Sequence, residues 1–161
     1  MRRLAVLMML AVLTTGCQAP AEPAAAPATS APPAPAPSAS ATAPSPPPCA
    51  RKTRACVSLS TRQAWLLRGG VAEYGPVPIA HGRPASPTPA GTFSVAWKDA
   101  VHTSNVYGTP MPYAVFFAPG GIAFHQGDVR TGSHGCVRLS MAAARVFFNR
   151  LRPGEIVQVL P

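Results

Sequence analysis

A thiol, an imidazole, a glycine and a guanidinium meet in one short stretch, Ser133-His134-Gly135-Cys136-Val137-Arg138-Leu139, and a second imidazole, His125, stands eleven residues before the thiol. Cysteine attacks carbon only as the thiolate, and a free thiol of pKa ~8.5 needs a base or a cation beside it at neutral pH. His125 and Arg138 offer one of each. The competing reading of Cys136 is an inert buried thiol, since free cysteines are among the most buried residues; the flanking His134 and Gly135 favour the nucleophile. Gly135 lets the backbone come close to a bound carbonyl, so that the N–H groups of Gly135 and Cys136 become candidates for an oxyanion hole. Ser133 opens that loop. His134 borders the hole or serves structurally, and the sequence leaves both open. Arg138 pairs with a substrate carboxylate through its planar fork or braces the loop, and these two also stand level.

Positioning such groups requires a rigid frame. Ile122-Ala123-Phe124 reads as a buried strand that delivers His125 at its end, followed by a loop over 126–132. Upstream, Val57–Ser60, Ala64–Leu67 and Val71–Ala80 read as a meander, the last of these interrupted by Gly75, Pro76 and Pro78 as at an edge or a bulge. Thr92–Trp97 and Tyr113–Ala118 add two more strands, and Glu155–Leu160 closes the chain as another. Between them lies one readable helix, Met141–Leu151, with Ser140 as N-cap and Ala144, Phe147, Phe148 and Leu151 on one broad apolar face. Arg145, Arg150 and Arg152 read as its solvated face, and Pro153-Gly154 ends it. The fold expected is mainly β with one packed helix.

With these residues in view, the chain resembles the L,D-transpeptidase (YkuD-like) catalytic domain family. The resemblance rests on His125 followed by Ser133-His134-Gly135-Cys136-Val137-Arg138-Leu139, on Thr88-Pro89-Ala90-Gly91-Thr92-Phe93, on Met111-Pro112-Tyr113 and on Gly121–His125, and covers roughly residues 57–161. The His125 to Cys136 interval is shorter than in many members, so the loop beside the pocket should be small. The resemblance implies a β sandwich and a reaction in which His125 takes the proton of Cys136 and the thiolate cleaves a peptidoglycan stem tetrapeptide, losing terminal D-alanine. It implies that the imidazole is oriented by the main-chain carbonyl after it, here that of Gln126. It places Tyr107 and Tyr113 as pocket walls, although aromatics in β domains are usually core. An amine acceptor gives a cross-link and water gives L,D-carboxypeptidase activity; the sequence does not separate the two. No cofactor is implied.

Residues 1–16 carry Arg2 and Arg3, the apolar run Leu4–Leu13 and small residues, the pattern of an export signal. Cys17 follows as a candidate lipid attachment site of a bacterial lipoprotein, though Thr14 stands where leucine is usual and Leu13 one step early. Residues 18–48 hold eleven prolines and one charge, Glu22, so nothing there can build a core. At about 3.1 Å per residue this linker could extend to roughly 95 Å, a spacer between a membrane anchor at Cys17 and a catalytic domain at 49–161. Cys49 and Cys56 then form a disulfide at the start of the domain, as an oxidising compartment allows.

The formal charge is +9, and +7 once Arg2 and Arg3 leave with the signal, which permits anionic partners in the cell envelope. Nucleic acid is disfavoured, because no array of stacked aromatics and basic residues is visible. Zinc held by His125, His134 and Cys136 would lack an acidic base nearby, so no metal is expected. A papain-like peptidase would place its cysteine before its histidine. His81 and His102 read as surface or structural, with His102, Lys98 and Ser104 able to approach the cleft rim. A monomer is expected, and a non-catalytic wall-binding lipoprotein is the rival outside enzymes.

Overall fold

In the computed structural model the described residues are 47–161. The stretch read as an export signal, the candidate lipid site Cys17 and nearly all of the expected 17–48 linker lie outside them. Among the described residues no helix is long and apolar enough to cross a membrane.

Among the described residues nine strands and one helix follow in the order β1 (Ala55–Ser58), β2 (Gln63–Arg68), β3 (Val71–Pro78), β4 (Gly91–Ser94), β5 (Trp97–Thr103), β6 (Pro110–Ala118), β7 (Ile122–Gln126), β8 (Val137–Leu139), α1 (Met141–Arg150) and β9 (Ile156–Leu160). They form a five-stranded sheet ordered β3-β2-β1-β9-β4 and a four-stranded sheet ordered β5-β6-β7-β8. Pairing is antiparallel except for β1 with β9 and β7 with β8. Leu66, Val57 and Val157 of the first sheet, Val115 and Phe124 of the second, and Phe147 of the helix share one buried core. The β sandwich with a single helix expected from the sequence is the fold observed.

The strand expected over Thr92–Trp97 is two strands. Val95 N–H donates to the Glu155 carbonyl in the first sheet, while Ala96 N–H donates to the Phe116 carbonyl in the second. The chain therefore changes sheets between adjacent residues, a corner that period-two alternation conceals. Gly75 and Pro76 do lie on an edge strand, and β2 and β3 shift register beside them, at Ala64/Leu66. A three-residue β8 was not legible either, because it pairs in parallel with β7 across the whole 127–136 loop.

Helix α1 starts where its cap predicts: Ser140 Oγ accepts from Ala143 N–H at 3.3 Å. It buries Ala143, Ala144 and Phe147, with Leu151 just beyond, while Phe148 is half-buried. Two of its arginines are more than a solvated face, since Arg145 lies over the Tyr113 ring at 5.7 Å and Arg150 over Tyr74 at 5.9 Å. Lys98 donates to the carbonyls of Phe148 and Leu151, at 2.6 and 2.8 Å, and so holds the C-terminal end of α1 to β5.

The disulfide between Cys49 and Cys56 is present, with Cα atoms 5.8 Å apart. Gln158 Oε1 accepts from Ala50 N–H at 2.8 Å and from Thr53 Oγ1 at 3.0 Å, so the turn inside the disulfide is also tied to β9.

Candidate active site

The register of β7 with β8 builds the centre of the site. Paired residues of neighbouring strands face the same side, and sides alternate with period two. His125 pairs with Arg138, so Cys136, two positions earlier, shares their face. That face is the one turned away from the sandwich core, where a cleft of about 640 Å³ is lined by Cys136, His125, Ser133, His134 and Arg138.

His125 is 7% exposed, and its Nδ1 lies 2.7 Å from the carbonyl of Gln126. A carbonyl only accepts, so Nδ1 carries the hydrogen and Nε2 keeps its lone pair. Burial lowers the His125 pKa most; the Gln126 carbonyl opposes this, and the charges of Arg138 and His102 add to it. Cys136 is half-buried and its thiol donates to the Gly121 carbonyl at 3.7 Å. Burial raises its pKa, against smaller lowering effects of the Ala123 backbone and Arg138. Both shifts favour the uncharged pair at rest, thiol and imidazole, over thiolate and imidazolium.

The turn before Cys136 is fixed from within. Ser133 is buried; its Oγ donates to the Cys136 carbonyl at 2.5 Å and accepts from Gly135 N–H at 3.0 Å. Gly135 has φ +119, and a Cβ there would meet Ile122 Cδ1 at 2.6 Å. Only glycine takes that backbone without strain. Thr88 Oγ1, also buried, donates to the Gly135 carbonyl at 2.6 Å and accepts from Gly82 N–H at 2.8 Å. The 80–83 segment pairs with Ser133 and Arg138 through backbone bonds, covering the edge of β8.

These contacts revise one expectation. Gly135 N–H is already committed to Ser133, which takes it out of the pair of oxyanion donors foreseen with Cys136. Ser133 itself is a clamp inside the turn. His134 is exposed and stacks on Tyr107, centroids 4.3 Å apart at 18°, so Tyr107 does wall the cleft. Tyr113 does not. Its φ of +57 breaks the alternation of β6, and its ring turns to the helix side, edge-on to Phe148 at 5.8 Å. The same break brings Met111 onto the cleft side with Phe116.

Arg138 lines the cleft while its Nη1 donates to Thr131 Oγ1 at 3.2 Å, bracing the loop; no ion pair among the described residues involves it. Its stem also lies so close to Gly127 that a Cβ there would meet Arg138 Cδ at 2.7 Å. His102 and Ser104 reach the cleft, whereas Lys98 points to the helix instead. His81 lies outside the cleft, with Nδ1 3.0 Å from the Gly82 carbonyl, and its backbone carbonyl receives Ser133 N–H. Sequence reasoning missed the Thr88 clamp and the part of the cleft lined by Trp97 and Phe116; strand β5 lacks the alternation that would have placed Trp97. Among the described residues no three His, Cys, Asp or Glu side chains are grouped to hold a metal ion.

Comparison with known proteins bears on this arrangement directly. The family model of the YkuD L,D-transpeptidase catalytic domain matches residues 52–159. No curated protein matches the chain. Among solved structures, an L,D-transpeptidase from Stackebrandtia nassauensis is 27% identical with a TM-score of 0.63, covering 66% of this chain and 54% of its own. One from Mycobacterium tuberculosis H37Rv is 27% identical with a TM-score of 0.60, over 65% and 56%. A cysteine-to-serine mutant of the Enterococcus faecium L,D-transpeptidase is 26% identical with a TM-score of 0.61, over 68% and 50%. This chain thus spans about half the length of the structures it resembles. With two thirds of its residues inside the family model and the same fold in these structures, the chain belongs to the YkuD family of L,D-transpeptidase catalytic domains.

Proposed function

We propose that this protein is a peptidoglycan L,D-transpeptidase of the bacterial cell envelope, with Cys136 as nucleophile and His125 as its base. The observation that carries this reading is that a half-buried thiol and an imidazole whose Nδ1 is spent on the Gln126 carbonyl stand on one sheet face and line one cleft. Nε2 is thereby left as the free base of a neutral pair. As the thiol sulfur adds to the donor carbonyl, His125 Nε2 takes its proton; the imidazolium then gives that proton to the departing amine of D-alanine, and a thioester remains. An acceptor amine attacks the thioester, loses its proton to Nε2 and releases the thiolate, which is reprotonated. The N–H of Cys136 stabilises the oxyanion. Arg138 uses the part of its fork not bound to Thr131 on a substrate carboxylate, and Tyr107 with His134 forms the wall. Export, a lipid anchor at Cys17 and the proline-rich spacer would hold the monomeric domain within reach of the wall.

The test is incubation of the purified protein with a disaccharide tetrapeptide, with products followed by mass spectrometry and Cys136→Ala as control. Dimer formation with loss of D-alanine in the wild type alone supports transpeptidation. Loss of D-alanine without dimer makes the protein an L,D-carboxypeptidase. If wild type and Cys136→Ala alike leave the tetrapeptide intact with every acceptor, the enzyme reading falls and a wall-binding lipoprotein takes its place.

A further inference from the structure

The four-stranded sheet carries a row of residues straight across its cleft face. Trp97 on β5 pairs with Phe116 on β6, and Phe116 with Ala123 on β7. One step beyond the Phe124–Val137 pair, the same parallel register sets Ala123 beside Cys136, which packs against the cluster that holds Ala123 and Phe116. The row therefore runs from the candidate nucleophile to Trp97 at the opposite edge.

Trp97 is half of an aromatic stack. Phe116 lies flat against one face of the indole, with centroids 3.9 Å apart at 9°, and His102 meets it edge-on at 5.5 Å. Phe116 is buried beneath, but Trp97 remains 46% exposed where it lines the cleft. Folding gains nothing from the part of the indole left in water, and an open aromatic face beside a cleft suits a ring that brings a sheet of C–H groups. Polar partners for such a ring stand around it. His102 Nδ1 is 3.3 Å from Asp99 Oδ2, which leaves Nε2 for a ligand, and Ser104 and Asn105 line the same end. An apolar face sharing its cleft with hydroxyl, amide and imidazole groups is the complement of a pyranose bearing an N-acetyl group.

The spacing lies within the donor's reach. Three strand spacings of about 4.8 Å separate Trp97 from Cys136 by about 14 Å. In a stem tetrapeptide cleaved before its last residue, three residues and a lactyl ether of about one residue's length separate the scissile carbonyl from the sugar, a reach of at least about 14 Å when extended. We propose that the β5 end of the cleft is a sugar subsite, in which Trp97 stacks on the N-acetylhexosamine that carries the donor stem. This rests on the transpeptidase reading above and adds to it the part of the substrate that sets its register.

The experiment compares the disaccharide tetrapeptide with the free tetrapeptide as donor for the purified protein. The expected result is a KM about tenfold lower for the disaccharide form, consistent with one aromatic stack. Trp97→Ala should collapse that ratio to about one, and Trp97→Tyr should retain most of it. Equal KM values in the wild type, or a ratio that survives Trp97→Ala, would overturn the proposal. A second readout needs no turnover. The protein has two tryptophans, and Trp65 is buried at 4% exposure against the disulfide on the other sheet, so a fluorescence change reports Trp97. Titration with the disaccharide lacking any peptide should shift the emission of the wild type and leave that of Trp97→Ala unmoved; no shift in the wild type would overturn the subsite. If neither donor is turned over but the disaccharide still shifts the emission, the transpeptidase reading fails while the sugar site stands.

Discussion

At the residue scale, the pKa shifts of His125 and Cys136 make a pH prediction with a definite sign. Burial holds the imidazole below its usual value, so the neutral base persists on the acid side of about 6.5. Burial pushes the thiol up, so the free enzyme is slow to form thiolate below about 8.5. The acid limb of kcat/KM should therefore fall below pH 6.5, while alkylation of Cys136 by iodoacetamide should rise only above pH 8.5. An acid limb centred at or above 6.5 would exclude the buried neutral imidazole as the base. The same shift links to stability: below about 6.5 the unfolded chain binds a proton that folded His125 resists, so stability falls with pH from there down to the lowered pKa. Thr88 shows a different kind of residue effect. Its hydroxyl serves the buried carbonyl of Gly135 and the N–H of Gly82 at once, which couples a distant segment to the turn carrying Cys136.

At the scale of elements, the link between helix α1 and strand β5 is testable through Lys98. Its ammonium is the donor to two carbonyls at the helix end and lies over Phe148, with Nζ 4.6 Å from the ring centroid. Burial lowers the pKa of this amine, the cost of holding it against the sheet. Lys98→Met preserves the stem and removes the donors. It should cost about 1–3 kcal/mol in urea unfolding, with the cleft unaffected because the helix lies on the other side of the four-stranded sheet. Unchanged stability would mean that water replaces the ammonium without loss.

At the scale of the whole molecule, the sandwich separates tasks by sheet. The four-stranded sheet carries the cleft, and the five-stranded sheet holds the segment from Cys49 to Cys56 through their disulfide and the bonds of Gln158. Replacing both cysteines by alanine should cost roughly 2–3 kcal/mol of stability for so short a loop, measured by denaturant titration. Acyl-transfer activity below the melting transition should not change. Loss of activity in a fully folded variant would show that the two sheets are coupled.

The sequence by itself determined the local features. The Ser140 cap, the apolar positions of α1, the strand leading to His125 and the glycine at 135 all follow from neighbours within a few residues, where propensity and sterics act. The cysteine pair 49 and 56 was legible for the same reason, being seven residues apart. Tertiary structure decided what depends on register between distant strands. The sheet change at Val95-Ala96, the parallel pairing that puts Cys136 on the face of His125, and the row ending at Trp97 arise from pairings that no local period encodes. It also decided which donors are free: the Gly135 N–H available on paper is taken by Ser133, and Tyr113 faces the helix because one positive φ reverses a strand's alternation. Side-chain type is written residue by residue, but the side it faces and the partner it meets are set by the sheet as a whole.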